Sequence, residues 1–386
     1  MHTPEQTILG ARLHRRMVAR SPHEPHRTAT PLELLFDLVF VGAVAQAAEG
    51  LHHAIANGHA LEGLGGYAMV FFAIWWAWMN FSWFASAYDS DDVPYRLAVF
   101  VQIAGALIFA SGVAAMLESR TPNRAIIGGY VVMRFALVAQ WLRAAASDPD
   151  HRATALRYAI GVALVQVAWV SMMPVPEWWI PGFLILAACE LAVPAWAERA
   201  RMTTWHPHHI AERYGLFTLI VLGESIVSAT MAMRAALSSG QELAALVPIA
   251  VGGLLIAFVM WWVYFDWPPD DLLTSLSKAL VWGYGHYFVF ASAAAVGAGL
   301  AVAVGQSTHE ASISSVTAGY AVAWPVAIFL MSLWFQHDRP EYRRTRAFGP
   351  AVAILVLLTP LSGQAVPLIG ALLSLMVAVK FVVMRA

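Results

Sequence analysis

Cysteine and charged side chains are both scarce in this sequence. A single cysteine among 386 residues excludes an internal disulfide and a cysteine cluster for a metal ion. Charged residues make up 12% of the chain, against about 25% in a typical soluble domain, while 59% of the residues are hydrophobic. A chain of this composition cannot cover a surface that faces water, so we expect lipid to surround it.

The sequence also lacks the common motifs of hydrolytic and nucleotide-driven chemistry. It contains no phosphate-binding P-loop, no Gly-x-Ser-x-Gly and no His-Glu-x-x-His. The formal net charge of -1 argues against nucleic acid as a partner. His206, His208 and His209 do not complete a metal site, because Pro207 interrupts their spacing and no cysteine or paired acid accompanies them. We therefore expect no catalytic residue, cofactor or metal ion.

Twelve apolar stretches are each long enough to cross a bilayer, which takes roughly 20 helical residues. Prolines, glycines or charges bound them, and the predicted spans are residues 30–52, 65–88, 95–117, 125–146, 154–173, 178–197, 210–233, 245–267, 276–304, 311–335, 346–361 and 363–384. The eleventh is short and lies so close to the twelfth that a re-entrant hairpin is an alternative. No length remains for a folded soluble domain, and we predict an all-α polytopic bundle of about twelve transmembrane helices.

Basic residues sort the loops between these spans into two sides. With the N-terminus in the cytoplasm, cytoplasmic segments hold 19 of the 23 lysine and arginine residues, as the positive-inside rule predicts. An even number of spans with both termini in the cytoplasm preserves this separation. The polar first 29 residues lack a typical cleavage site, so we predict a retained tail and no cleaved signal peptide.

Two pairs of similar segments indicate an internal repeat. Residues 34–42 resemble 215–223, and residues 75–78 resemble 261–264, with each pair separated by roughly 180 residues. Chance similarity between apolar segments is the alternative. A parallel duplication predicts a cytoplasmic basic tail at 1–29, a first six-helix half at 30–197, a cytoplasmic linker at 198–209 and a second six-helix half at 210–386.

The mouth of the first span carries two carboxylates, Glu33 and Asp37. They are four residues apart and therefore share one face of the helix. Two neighbouring carboxylates in a low dielectric do not both ionise easily, which favours a proton carrier or a cation ligand. The alternative is structural: Glu33 caps the helix and Asp37 pairs with an arginine.

A second polar group lies on the seventh predicted span. His209, Arg213 and Glu224 lie near one face of this helix and Glu212 lies on a neighbouring face, so one side of the helix is polar. Glu224 lies about 20 Å from the helix start, too deep to reach either surface. Such an acid is expected to face the interior of the bundle. It either lines a transport path or forms a salt bridge with Arg134.

Arg134 is the only basic residue in the middle of a predicted span. A guanidinium there requires a carboxylate partner or a water-filled cavity, and Asp37, Glu190 and Glu224 are the candidates. Structural pairing and anion binding are both open at this stage.

Acidic clusters end the second and eighth predicted spans on the cytoplasmic side. The first contains Asp89 and is followed by Arg96, and the second begins at Asp266. Acids there oppose the usual cationic enrichment, so arginines or a permeating cation are the expected partners. These three residues form a candidate cytoplasmic gate. The tryptophan-rich segments beside them are expected to form interfacial belts and helix packing.

Three motifs together resemble the bacterial low temperature requirement A (LtrA) family. They are Ala-Thr-Pro-Leu-Glu-Leu-Leu-Phe-Asp-Leu-Val-Phe-Val at residues 29–41, the tryptophan-rich and acidic stretch at 75–96, and the segment from His-Ile-Ala-Glu-Arg-Tyr-Gly onward at 209–226. The resemblance extends over essentially the whole chain and implies a multi-pass protein of the bacterial inner membrane. It implies no particular activity. The family's characteristic polar positions are occupied here by Glu33, Asp37, Asp89, Arg96, Glu212, Arg213 and Glu224.

The leading hypothesis is a transporter or channel for a small ion or solute. Its polar path is lined by Glu33, Asp37, Glu224 and Glu212, with Arg134 and Arg213 as counter-charges and Asp89, Arg96 and Asp266 at the gate. Acidic residues deep in the spans are compatible with proton coupling. The sequence does not distinguish a monomer from an oligomer. The alternatives are a membrane-embedded enzyme acting on lipid or quinone through the same carboxylates, and a scaffold in cold or stress response.

Overall fold

The computed structural model describes residues 13–22, 24–25, 27–119, 121–240, 243–266, 273–337 and 347–385, and within them it contains helices and no β-strand. Twelve α-helices follow one another from Pro31 onward in this part of the chain. They are α1 (Pro31–Ala56), α2 (Ala60–Tyr88), α3 (Val93–Ser119), α4 (Arg124–Ser147), α5 (Arg152–Ser171), α6 (Trp179–Ala197), α7 (Pro207–Ser238), α8 (Leu243–Phe265), α9 (Leu276–Ser307), α10 (Ser315–His337), α11 (Phe348–Leu358) and α12 (Ala365–Arg385). The predicted all-α fold is confirmed.

Eleven of these twelve helices are long and apolar enough to cross a membrane. The exception is α11, whose 11 residues rise about 16 Å, roughly half of the 30 Å hydrocarbon core. A 3-10 helix, Thr359–Ser362, continues it as far as Gly363, whose φ of 76° lies in the left-handed region that favours glycine. The eleventh apolar stretch is therefore short, as its sequence predicts.

Glycine lets α3 and α4 approach each other closely. A methyl group on Gly129 of α4 would lie 2.4 Å from the backbone nitrogen of Phe109 and 2.6 Å from the carbonyl oxygen of Gly105, both on α3. At the adjacent Gly128 nothing lies within 4 Å of the same position. Because lipid provides no hydrophobic force between helices, such close backbone contact is a main source of helix association.

The helices form two compact units. The first comprises the chain up to Ala43 and Phe72–Arg213, and it contains α3 to α6 with the parts of α1, α2 and α7 in those ranges. The second comprises Val44–Phe71 and the chain from Tyr214 onward, and it contains α8 to α12 with the remaining parts of the same three helices. The duplication into halves at residues 30–197 and 210–386 stays a prediction.

Candidate functional site

Glu33 caps the start of α1. Its Oε2 accepts hydrogen bonds from the backbone N–H of Thr30 at 2.7 Å and from Thr30 Oγ1 at 2.9 Å. In return, Thr30 Oγ1 accepts from the N–H of Glu33 at 3.3 Å. This reciprocal arrangement is a capping box, which satisfies N–H groups that the first turn of a helix leaves without partners. The second carboxylate oxygen, Oε1, is available for ion pairs.

Asp37 lies one turn further along α1 and is paired with Arg213 of α7. Arg213 Nη2 donates to Asp37 Oδ1 at 2.5 Å, and Arg213 Nε donates to Oδ2 at 3.1 Å. This two-pronged geometry is the strongest form of a charged hydrogen bond between side chains. Trp78 of α2 adds a third donor, with its Nε1 2.6 Å from Oδ1. Both charged side chains are 0% exposed, so Asp37 is held inside the first unit by two other helices.

Arg213 contacts both carboxylates of α1. Its Nη1 lies 3.0 Å from Glu33 Oε1, while Nη2 and Nε bind Asp37. His209, one turn earlier on α7, has Nε2 3.1 Å from the same Glu33 oxygen. The rings of Trp78 and Phe81 lie 6.0 and 5.8 Å from the guanidinium carbon. The guanidinium is therefore shared between two acids and bordered by aromatic rings.

Further ion pairs extend from Glu33 to residues outside the spans. Arg27 Nη2 lies 3.9 Å from Glu33 Oε1 and 3.6 Å from Asp89 Oδ2. Arg20 lies 3.6 Å from Asp89 and 2.5 Å from Glu24. We call the connected set the ion-pair network; its members are Arg20, Glu24, Arg27, Glu33, Asp37, Asp89, His209 and Arg213.

The charges of the ion-pair network do not balance. It holds three arginines and four carboxylates, so its described members carry one negative charge in excess when His209 is neutral. Asp89, which follows α2 and is 3% exposed, is one place for a compensating proton. Burial raises the pKa of Asp89 to about 6, and repulsion from Glu33 adds to this effect, while Arg27 and Arg20 oppose it. The pKa of one member of the network is therefore raised toward neutral pH.

A second buried ion pair in the first unit joins Arg134 of α4 to Glu190 of α6. Arg134 Nη2 lies 3.6 Å from Glu190 Oε1, and the two side chains are 2% and 1% exposed. Glu190 also accepts hydrogen bonds from Trp76 Nε1 at 2.7 Å and Trp169 Nε1 at 3.3 Å, and Arg134 donates to the hydroxyl of Tyr130. Among the three candidate partners Asp37, Glu190 and Glu224, Arg134 pairs with Glu190. This pair is balanced one to one.

Two other candidate acids on α7 are only half-buried. Glu224 accepts a hydrogen bond from Ser228 Oγ at 3.2 Å. Glu212 accepts from the backbone N–H of Ala29 at 3.0 Å. In the described part of the chain, no arginine or lysine lies within ion-pair distance of either carboxylate.

The three candidate gate residues have different ion-pair partners. Asp89 lies between Arg20 and Arg27, whereas Arg96 pairs with Asp91 at 2.8 Å on an exposed surface. Asp266, in the second unit, contacts Lys380 at 2.5 Å. The acids that follow Asp266 at residues 270 and 271 lie outside the described residues. Only Asp89 of this group belongs to the ion-pair network.

The profile of the bacterial low temperature requirement A (LtrA) family matches residues 28–385. The chain belongs to this family. A relative, the uncharacterized protein RA0937 of Rhizobium meliloti, is 24% identical over 289 residues, which cover 66% of this chain and 64% of the relative. The chain thus spans less than two thirds of that relative's length. No solved structure matches this chain. The family resemblance is confirmed, and with it a multi-pass membrane protein of a bacterial family.

Three residues of the site in this LtrA-family protein were not recognised from the sequence. Arg27 was assigned to the basic tail, Trp78 to interfacial packing and His209 to a cytoplasmic loop. The four-residue spacing of His209 and Arg213 does place both on one helix face, but the contact of His209 with Glu33 was not predicted. Trp78 carried no usable signal, since it is one of several neighbouring tryptophans and no periodicity marks it as the indole that donates to Asp37.

Proposed function

We propose that this protein is a proton-coupled transporter of a small ion or solute, in which the ion-pair network binds and releases the proton. The observation that carries the proposal is the composition of the network, four carboxylates against three arginines in contacts of 2.5–3.9 Å. A proton is the smallest ligand that removes the resulting excess charge. Asp89, whose pKa burial raises to about 6, is one acceptor for that proton.

The energetic basis is the cost of an unbalanced charge away from water. Glu33, Asp37, His209 and Arg213 are all 0% exposed. An uncompensated charge inside a membrane costs roughly 2.5 kcal/mol or more. A bound proton avoids that cost while the network is buried and becomes dispensable once water reaches it. Proton occupancy is therefore coupled to the burial of the network, as a proton-driven conformational change requires.

The shared position of Arg213 supports an exchange of partners. When a proton binds to either Glu33 or Asp37, the guanidinium keeps only one ionised partner. Glu33 has two further basic side chains within ion-pair distance, neutral His209 at 3.1 Å and the cation Arg27 at 3.9 Å. A site with several discrete pairings is suited to two-state behaviour, because packed interiors switch between arrangements and do not deform continuously. Asp89, with its pKa of about 6, connects these pairings to the loop outside the spans.

For the solute itself, Glu224 and Glu212 are the candidate path residues. Both are half-buried, and neither is matched by a lysine or arginine of the described chain, so their carboxylates remain available to a cation or a polar solute. Arg134 is a weaker candidate for a counter-charge in the path, because Glu190 already compensates it. The same holds for Arg96, which pairs with Asp91 on an exposed surface.

A permanent structural lock is the second candidate for the ion-pair network. It is favoured by Asp37, whose two oxygens accept three hydrogen bonds in a fully buried position. A structural lock does not require a group that takes up a proton, however. The pair of Arg134 and Glu190 shows that one positive and one negative charge are enough to join two buried helices. The two candidates therefore differ in whether the network takes up a proton.

Vesicles containing the purified protein and a trapped pH-sensitive dye test the proposal directly. Gradients of candidate ions and solutes are applied to wild type, to Asp37→Asn, and to Glu190→Gln as a matched control that removes a buried carboxylate from a balanced pair. We expect solute-dependent proton movement in wild type and in Glu190→Gln, and its loss in Asp37→Asn at equal incorporation of folded protein.

Two results would contradict the proposal. The first is proton movement that survives in Asp37→Asn. The second is an absence of proton movement in wild type together with equal proton uptake by purified wild type and Asp37→Asn on acidification from pH 8 to pH 5. The second result would favour the structural lock.

A further inference from the structure

We infer that Glu49, His52 and His53 form a binding site for a divalent transition-metal ion of the zinc class in the last two turns of α1. The inference is independent of the proposed transport function. All three residues lie within Val44–Phe71, which belongs to the second compact unit. None of them is a member of the ion-pair network.

Helix geometry brings the three side chains together. His52 and His53 follow Glu49 by three and four residues, the two spacings that place side chains next to each other on a helix surface. Glu49 Oε1 lies 2.8 Å from His53 Nε2 and 3.7 Å from His52 Nδ1. One potential ligand atom from each residue lies within 4.8 Å of the other two. The imidazole rings stack with their centroids 5.1 Å apart.

The donor set is one that proteins use for zinc. Two imidazoles and one carboxylate bind Zn²⁺ in several enzyme families, through bonds of about 2.0–2.2 Å, and leave a fourth position open. Glutamate followed by histidine three residues later on a helix is also a recurrent metal-binding arrangement. A metal ion among these three residues would therefore need no ligand from another helix and would keep one position for water or for a solute group.

An ordinary ion pair accounts for only part of this arrangement. Exposed pairs contribute about 0–1 kcal/mol, and one histidine already meets the hydrogen-bonding need of the Glu49 oxygen that both rings approach. His52 Nδ1 is shielded from solvent and has no hydrogen-bond partner among the described residues. A shielded ring nitrogen beside a carboxylate and a second imidazole is satisfied by a metal ion at their centre, because each of the three groups then donates one electron pair.

The side chains are free to adjust to an ion. Bonds of about 2.0–2.2 Å place tetrahedral ligand atoms roughly 3.4 Å apart, so the widest separation in the cluster must shrink by about an ångström. Glu49 and His53 are 53% and 64% exposed, which leaves room for that rotation and gives the ion direct access from outside the protein.

Ligand chemistry sets the class of ion. Imidazole suits Zn²⁺, Cu²⁺ and Ni²⁺, whereas Mg²⁺ and Ca²⁺ prefer sites made only of oxygen atoms. The site should therefore bind Zn²⁺ and discriminate against both hard cations.

Calorimetric titration of the full chain with Zn²⁺ tests the inference, using detergent-solubilised protein purified without a histidine tag. We expect one saturable site per chain, no comparable signal with Mg²⁺ or Ca²⁺, and Zn²⁺ affinity at least tenfold weaker in His52→Ala and in His53→Ala. His59→Ala is the matched control: His59 pairs with Glu62 at 3.6 Å beyond the end of α1, is 63% exposed, and should leave the affinity unchanged.

Glu49→Gln separates ligation from folding, because it keeps the shape of the side chain and removes only its charge. It should also weaken Zn²⁺ binding by more than tenfold while the melting temperature of the metal-free protein stays within a degree or two. The inference is overturned if wild type shows no saturable site, or if the affinity is the same in wild type, His52→Ala and His53→Ala.

Discussion

Removing the positive charge of Arg213 should destabilise the protein far more than removing the negative charge of Asp37, which Arg213 binds. Arg213→Gln leaves four carboxylates against Arg20 and Arg27, whereas Asp37→Asn leaves three against three. Removing one partner of a buried pair typically costs about 3–5 kcal/mol, and we expect Arg213→Gln to reach that range. Asp37→Asn should cost only about 1–3 kcal/mol, because the asparagine oxygen still accepts from Trp78 and the charges balance.

Thermal unfolding in detergent measures this difference, and the double variant sharpens it. Because the two residues contact each other, Arg213→Gln with Asp37→Asn should be less destabilising than the sum of the single changes by about 0.5–3 kcal/mol. Arg96→Gln, which breaks an exposed pair, is the control and should change the free energy of unfolding by less than about 1 kcal/mol. Equal destabilisation by Asp37→Asn and Arg213→Gln would refute the charge imbalance.

Three further measurements examine other parts of the first unit. The pKa of Asp89 is raised to about 6 in the folded protein, which gives a stabilising contribution that is complete below about pH 3 and is lost as the pH rises through 6. The unfolding free energy of wild type should therefore fall relative to that of Asp89→Asn by up to about 3 kcal/mol between about pH 3 and pH 7. Burial acts to raise the pKa of Asp92, but hydrogen bonds, with Arg143 the leading donor, lower it to about 2. The stability that ionised Asp92 contributes is therefore complete above about pH 4 and is lost as the pH falls. Arg143→Gln should lower the free energy of unfolding by about 1–2 kcal/mol at pH 6, and melting curves at different pH values should show this difference shrinking toward pH 3. Gly129→Ala should destabilise the protein by about 1–3 kcal/mol, because its methyl group would lie 2.4 Å from a backbone nitrogen of α3. The free energy of unfolding of Gly128→Ala should stay within about 1 kcal/mol of the wild-type value, and equal melting temperatures for the two variants would contradict the close packing.

The fold could be predicted from the sequence because the length and the polarity of each span can be read from its own residues. The brevity of α11, for example, follows from the short apolar stretch that ends near Pro360. The start of α1 is likewise determined by neighbouring residues. Thr30 and Glu33 have the spacing of a capping box, and their side chains form one in the structure.

The pairing of charges was not predictable in the same way, because it depends on how helices are rotated and which loops reach them. Arg96 is the arginine nearest to Asp89 in sequence, yet it binds Asp91. Asp89 instead pairs with Arg27, which precedes α1. Likewise, Asp37, Glu190 and Glu224 were all candidate partners for Arg134, and only the tertiary structure brings Glu190 of α6 to it. Sequence identifies which spans carry charges, whereas tertiary structure decides their partners.

The fork between Arg213 and the two acids of α1 also determines the angular setting of these helices about their own axes. Lipid tails do not distinguish one apolar face of a helix from another, so apolar side chains alone specify this angle weakly. A turn of α1 by one residue, about 100°, would carry Asp37 and Glu33 away from the guanidinium together. The three atoms of Arg213 that contact these carboxylates therefore select one orientation of α1 among several that hydrocarbon would accept equally well.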